Sequence, residues 1–295
     1  MTILSRLSSC TFAIFFAAAT LSSAAVHSQA KSSFHTFLVP GSTQTVANAI
    51  NKHGVIVGWA DGGAYTTTVG FSFDTKRNIY EVITCPAASG TFANGINDDN
   101  VIVGGCIIDG AEVGFAEQDS NFTFLSIPEA NGLECLGINN VGQIVGAYTD
   151  PNGTYGFVYS NFEFTTIRHG ANTFVNGIND SGELAGSDGP GRYTRGFIKL
   201  KHFETIIYPA PGVRDTSVNG LNDAGDLVGY WRGPVPSGDH GFVFNNSDST
   251  FTSIDLGDGT DTICSGINSS GEIVGTYSIS GGGNTIYGFY GHAPK

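Results

Sequence analysis

After about residue 30, apolar residues come in short runs of about four to six, rich in Val, Ile and Phe and punctuated by Gly and Asn. Runs this short, with β-branched and aromatic content, predict strands rather than helices. No long apolar stripe of helical period follows the first 30 residues. The runs also repeat. A Gly-Ile-Asn type core places an Asn at 51, 97, 139, 179, 222 and 268, with gaps of 46, 42, 40, 43 and 46 residues. A Gly-Phe pair follows each Asn by 17 to 20 residues, at Gly70-Phe71, Gly114-Phe115, Gly156-Phe157, Gly196-Phe197, Gly241-Phe242 and Gly288-Phe289. Six copies with two anchors each predict a tandem repeat array.

One copy reads as four strands, a to d. Strand a ends at the Asn, and strand b is an apolar run ending in Gly, such as Ile144-Val145-Gly146. Strand c carries Gly-Phe, and strand d is an alternating segment such as Phe162 to Ile167. The a–b turn needs a residue with positive φ three places after the Asn. Gly54, Gly142, Gly182, Gly225 and Gly271 supply it without a Cβ clash. The second copy has Asn100, one of the few other residues that tolerate the left-handed region.

The ends of the array carry further information. The last copy stops after strand c, whereas residues 34–40 (Phe-His-Thr-Phe-Leu-Val-Pro) read as a strand d with no strand a before it. Five whole copies and one split copy predict an all-β, six-bladed β-propeller with four-stranded blades, its ring closed by residues 34–40 completing the last blade. The copies resemble the extracellular HAF repeat of secreted bacterial proteins over residues 34–290, through Gly-Ile-Asn-x-x-Gly-x-Ile-Val-Gly and the later Gly-Phe. The His-Ala-Phe-like triplet behind that family name survives only as His240-Gly241-Phe242. The other copies have Val69, Val113, Tyr155, Arg195 and Tyr287 at the His position. The resemblance implies secretion and a propeller-like repeat domain. It brings no known activity and no catalytic residues.

Residues 1–30 read as a signal peptide: Arg6, an apolar Cys10–Leu21 region, then small residues allowing cleavage at 25–30. That apolar run is short for a membrane span. The remaining 31–295 form a single repeat domain with 26 acidic and 12 basic residues, a formal charge of −14. Such a surface excludes nucleic acid and anionic membrane as partners and permits cations or basic ones. A secreted monomer is expected, without a cofactor and without a membrane span in the mature chain.

Loop lengths sort by face. The a–b turns are tight, whereas the b–c and d–a loops are longer and differ among copies, and in an up-and-down blade these two classes share one rim. Variable loops on a rigid scaffold are where binding is concentrated. Trp59, Tyr148, Tyr230, Trp231 and Tyr277 lie at the ends of strand b, eight or nine residues after their Asn. They offer a stacking platform for a sugar or peptide, or packing between blades. Gln143, Glu183, Asp226 and Glu272 share one repeat position and flank the tight turns, where solvated turn residues are expected. No His has metal-ligand spacing and no Gly-x-Ser-x-Gly elbow appears, so neither metal nor catalytic residues are assigned.

Four cysteines follow residue 30. Cys135 and Cys264 fall in copies three and six, opposite each other in a six-membered ring and beyond bridging distance. Cys85 and Cys106 point to one rim, so Cys85–Cys106 is the pairing the geometry allows, with four buried thiols as the alternative. The expected function is a secreted, non-enzymatic binding or interaction propeller using the long-loop rim toward an extracellular glycan or protein. A glycan- or ester-cleaving hydrolase or lyase, and a structural surface protein, are the alternatives. The hydrolase would need two carboxyl groups within about 5–10 Å in a cleft.

Overall fold

The computed structural model describes residues 34–169, 172–189, 194–199, 204–207, 213, 215–233, 238–257, 261–279 and 283–293. The signal peptide expected at 1–30 lies outside these residues, as does the centre of the 231–239 loop. The described chain is all β, with 24 strands. It forms four antiparallel sheets of four strands and one of eight.

The four-stranded sheets follow the copies in order: β6–β9 (Gly90–Ile96, Ile102–Ile108, Ala111–Gln118, Asn121–Leu125), β10–β13 (Gly132–Ile138, Ile144–Asp150, Gly153–Ser160, Glu163–Ile167), β14–β17 (Thr173–Ile178, Leu184–Asp188, Arg195–Lys199, Glu204–Ile207) and β18–β21 (Asp215–Leu221, Leu227–Arg232, Asp239–Asn245, Thr250–Ile254). The eight-stranded sheet has two halves. One is β2–β5 (Gln44–Ile50, Val55–Gly62, Tyr65–Asp74, Ile79–Ile83). The other is β22–β24 (Thr262–Ile267, Glu272–Ser278, Ile286–His292) with β1 (Phe34–Phe37) antiparallel to β24. A single parallel pair, Gln44–Ile286, joins the halves. β1 ends at Phe37, short of residue 40, and the Val39 N–H turns away to the Thr45 hydroxyl (2.9 Å).

Positions within a copy are numbered here from its Asn. The apolar Gly of strand b (+7) and the Phe of Gly-Phe are direct cross-strand partners in all six copies, as in Gly146–Phe157 and Gly229–Phe242. All six of these Phe side chains are fully buried. A Cβ at Gly146 would lie 2.9 Å from the Phe157 ring and would clash with the Glu134 carbonyl. The glycine leaves the groove into which the ring lies, and the rings form the centres of successive cores between neighbouring sheets.

The Asn itself does two jobs. Its Oδ1 accepts from the N–H at +4, as from Val55, Gln143 and Glu272, holding the a–b turn. Its Nδ2 donates to the backbone oxygen of the Asn in the next copy: Asn51 to Asn97, Asn97 to Asn139, Asn139 to Asn179, Asn179 to Asn222, Asn222 to Asn268, and Asn268 to Asn51. The series returns to its first member. All six Asn side chains are buried, and each amide nitrogen and oxygen has a hydrogen-bond partner, as burial of an amide requires.

Candidate functional site

Every strand a carries a β-bulge between positions −4 and −2, from Ala47/Ala49 in the first copy to Cys264/Gly266 in the last. A bulge inserts an unpaired residue and re-aims its side chain. The bulged residue here is at −3, and it is Asn48, Asn94, Asn176 or Asn219 in four copies and Leu136 or Ser265 in the others. All six line a cavity of about 250 Å³ on the common axis of the innermost strands. Below them a belt at −2 brings backbones together. A Cβ at Gly95 would sit 3.0 Å from the Gly137 Cα, and one at Gly266 would sit 3.0 Å from the Ala49 Cα. Gly at −2 permits this close approach in five copies, and the first copy has Ala49 there. The aliphatic residues at −1, Ile in five copies and Leu221 in one, separate this cavity from a smaller polar recess. That recess is lined by the turn Asn residues and the +1 residues Lys52, Asp98, Asn140, Asp180, Asp223 and Ser269.

At the other end of the cavity stand the −5 residues. Val46, Phe92 and Ile263 are half-buried and Phe174 is 38% exposed. The third copy has Glu134 there, the one charged −5 residue. Glu134 Oε1 accepts from Asn94 Nδ2 (2.8 Å). Gly105, at +8 of the preceding sheet, leaves the space it occupies: a Cβ on Gly105 would meet Glu134 Cγ at 3.3 Å and Glu112 Oε1 at 3.5 Å. Trp59 fills the equivalent +8 place one sheet earlier and packs edge-on against Phe92. Burial pushes the Glu134 carboxyl up to about 7, the Glu112 charge adds to this, and the Asn94 hydrogen bond opposes it. Burial also raises Glu112.

The five strand-b aromatics do not form one platform. Side chains alternate along a strand, so Trp59 and Tyr230 at +8 face one way, and Tyr148, Trp231 and Tyr277 at +9 face the other. The +9 residue has a fixed cross-strand partner, the residue before Gly-Phe: Tyr148–Tyr155, Trp231–His240 and Tyr277–Tyr287 are ring contacts at 5.4, 4.4 and 5.4 Å. In the fourth copy the same pair is Asp188–Arg195, a fork-shaped ion pair at 2.7 and 3.1 Å.

The residue two places after the preceding strand d closes onto this +9 position. It is Cys85 against Cys106, joined as a disulfide with Cα atoms 6.3 Å apart. It is His169 against Asp188 (3.0 Å), and Leu256 in the apolar cluster of Tyr277. These residues share a backbone bond. Val39, Cys85, His169 and Leu256 each donate N–H to the Thr at −6 of the next copy. In the fifth copy the residue at the corresponding sequence position, Pro209, lies outside the described residues. The buried Thr216 hydroxyl has no hydrogen-bond partner among the described residues. The long-loop rim is thus a series of inter-sheet joints of varying chemistry, to which Tyr148, Trp231 and Tyr277 belong. His240, the residue before Gly241-Phe242, is such a cross-strand partner. His240 stacks on Trp231, and its Nδ1 lies 2.7 Å from Asp255, which lifts its pKa above the usual imidazole value.

Gln143, Glu183, Asp226 and Glu272 accept the second Nδ2 hydrogen of their own turn Asn at 2.8 to 3.4 Å. Cys135 and Cys264 are buried free thiols in separate cores, and burial pushes both up. Among the described residues no group of three or more His, Cys, Asp or Glu could hold a metal ion, and no helix is long and apolar enough to cross a membrane. The −3 Asn residues and Glu134 went unread in the sequence, although Asn48, Asn94, Asn176 and Asn219 already shared one repeat position.

No family model and no curated protein matches the chain. Solved structures do. The β-propeller domain of the Trilobed protease from Pyrococcus furiosus, described as having an open velcro topology, is similar at 8% identity and a TM-score of 0.49, over 80% of this chain and 92% of that one. YCF48 bound to D1 peptide is similar at 9% and 0.45, over 88% and 97%. A gluconolactonase from Xanthomonas campestris is similar at 14% and 0.49, over 86% and 88%.

Proposed function

We propose that this chain is an exported six-bladed propeller of the HAF-repeat kind, closed by β1, which binds an extracellular glycan or protein at its long-loop rim. The cyclic Asn series and the β1–β24 pairing support the six-bladed closed reading. One observation carries the binding reading: the two ends of the axis differ. At the short-turn end the +1 residues are polar. At the long-loop end four of the six −5 residues are apolar, and Phe174 is exposed. Exposed apolar groups around a concave mouth mark ligand sites. A glycan array and a peptide library screened with the secreted protein test this. A ligand should emerge whose affinity falls about tenfold in Phe174→Ser and is unchanged in Val141→Ser, an exposed residue on the opposite rim. The reverse pattern overturns the assignment.

The pair Glu112 and Glu134 favours a second reading, a glycan-cleaving hydrolase, because such chemistry uses one protonated and one ionised carboxyl group in a cleft. Turnover of chromogenic glycosides between pH 5 and 7, lost in Glu134→Gln and in Glu112→Gln, would establish it. Turnover that survives both changes excludes it.

A further inference from the structure

We propose that the axial cavity is a receptor site for an organic cation, a primary ammonium or guanidinium group carried on a molecule the size of an amino-acid side chain. The argument is one of hydrogen-bond supply. An amide has two N–H donors and an oxygen with two lone pairs, whereas an ammonium has three donors and a guanidinium five, with no acceptor. Three of the four cavity amides have spent both donors on the neighbouring sheet, and Asn219 Nδ2 has spent one, on the Cys264 oxygen (3.0 Å). Asn48 Nδ2 donates to the Ala93 oxygen (3.0 Å) and to Asn94 Oδ1 (3.1 Å). Asn94 Nδ2 donates to Glu134 (2.8 Å) and to the Cys135 oxygen (3.0 Å). Asn176 Nδ2 donates to the Val218 oxygen (3.0 Å) and the Ser217 hydroxyl (3.4 Å).

What these amides can still offer a ligand is chiefly oxygen. Glu134, which accepts from the lining Asn94, adds a carboxyl group behind the wall, and none of the lining residues is basic. A wall rich in acceptors beside a carboxylate repels anions, gives a neutral polyol few donors for its own oxygens, and pairs best with a cation that only donates. Among the described residues no group of three or more His, Cys, Asp or Glu could hold a bare metal ion. The volume of about 250 Å³ accepts a chain-like cation. The −1 aliphatic ring closes the far end, so entry is from the Phe174 side.

The inference stands apart from the rim reading, because a free diamine needs no loop contact. Isothermal titration of the secreted protein at pH 8 and low salt, with 1,4-diaminobutane, agmatine, 1,4-butanediol and succinate, tests it. The two cations should bind, and the diol and the dianion should not. Glu134→Gln should weaken cation binding about tenfold or more. Leu136→Lys, which supplies the cavity with its own ammonium group, should abolish it, while Asp98→Asn at the opposite end leaves it unchanged. Thermal melts establish that each variant is folded. No cation binding by the wild type, equal binding of the diol, or full binding by both folded cavity variants would overturn the assignment.

Discussion

Asn268 donates its side-chain amide to the backbone oxygen of Asn51, 217 residues earlier in the chain, at 3.1 Å. The same bond links each earlier copy to its successor, so one residue type both shapes a local turn and ties consecutive sheets. Replacing a member should cost far more than an exposed turn residue would. Asn139→Ala is expected to lower stability by about 2–4 kcal/mol, because it strands the buried Asn179 carbonyl and the Gln143 turn N–H. Urea unfolding of the two proteins checks it, and a loss under about 0.5 kcal/mol would show the bond to be dispensable.

Gly146 and Phe157 make a second kind of constraint. Gly146→Ala forces a methyl group against both a ring and a backbone carbonyl, and only the ring can yield. A loss of about 3 kcal/mol is expected. Gly142→Ala tests a different cost at a nearby glycine. There a Cβ meets nothing within 4 Å, but φ is +81°, so the loss should be about 1 kcal/mol and come from backbone strain. Equal losses at the two sites would contradict this account.

The Cys85–Cys106 joint closes a loop with a sequence separation of 21 residues. Reduction should lower unfolding stability by about 2–4 kcal/mol. Melting with and without a reductant measures this, and Cys85→Ser with Cys106→Ser should remove the dependence. Cys135→Ala with Cys264→Ala should leave it in place, since those thiols are buried in different cores.

Glu134 imposes a pH dependence of defined sign. Its ordinary value of 4.5 is raised to about 7 in the fold. Between those pH values the folded protein holds a proton that the unfolded chain releases, so the Glu134 contribution is complete below about 4.5 and is lost as pH rises toward 7. Relative to Glu134→Gln, the wild type should lose about 1–3 kcal/mol between pH 4.5 and 8. Denaturant curves at the two pH values test this, and a wild type that gains on the variant with rising pH would refute it. Glu112→Gln should shrink the loss, because one charge facing Glu134 is gone.

Much of this architecture was legible in the residue order because repetition exposes backbone rules. Gly142 and its equivalents, with Asn100 as the substitute, marked a left-handed turn position that depends only on local sterics. Asn100 also shows where such reading stops. It additionally accepts the second Nδ2 hydrogen of Asn51 from the neighbouring copy (2.9 Å), a role set by a residue 49 positions away. The strand-b aromatics likewise looked like one group because they cluster in sequence near a shared rim. The pleat sends Trp59 and Tyr148 to opposite faces, where Trp59 packs on Phe92 of the next sheet and Tyr148 on its cross-strand partner Tyr155.

By itself, the sequence determined strand content, the six-fold repetition and the tight-turn rim, since all of these follow from local sterics and from the pattern of short apolar runs. Only the tertiary structure decided that the six Asn amides bond in a cycle, that bulges aim the −3 amides into one cavity, and that Gly105 makes room for Glu134 beside Glu112. Those relationships join residues about 40 or more positions apart, or depend on the space a missing side chain leaves, and neither is written in the order of residues along one copy.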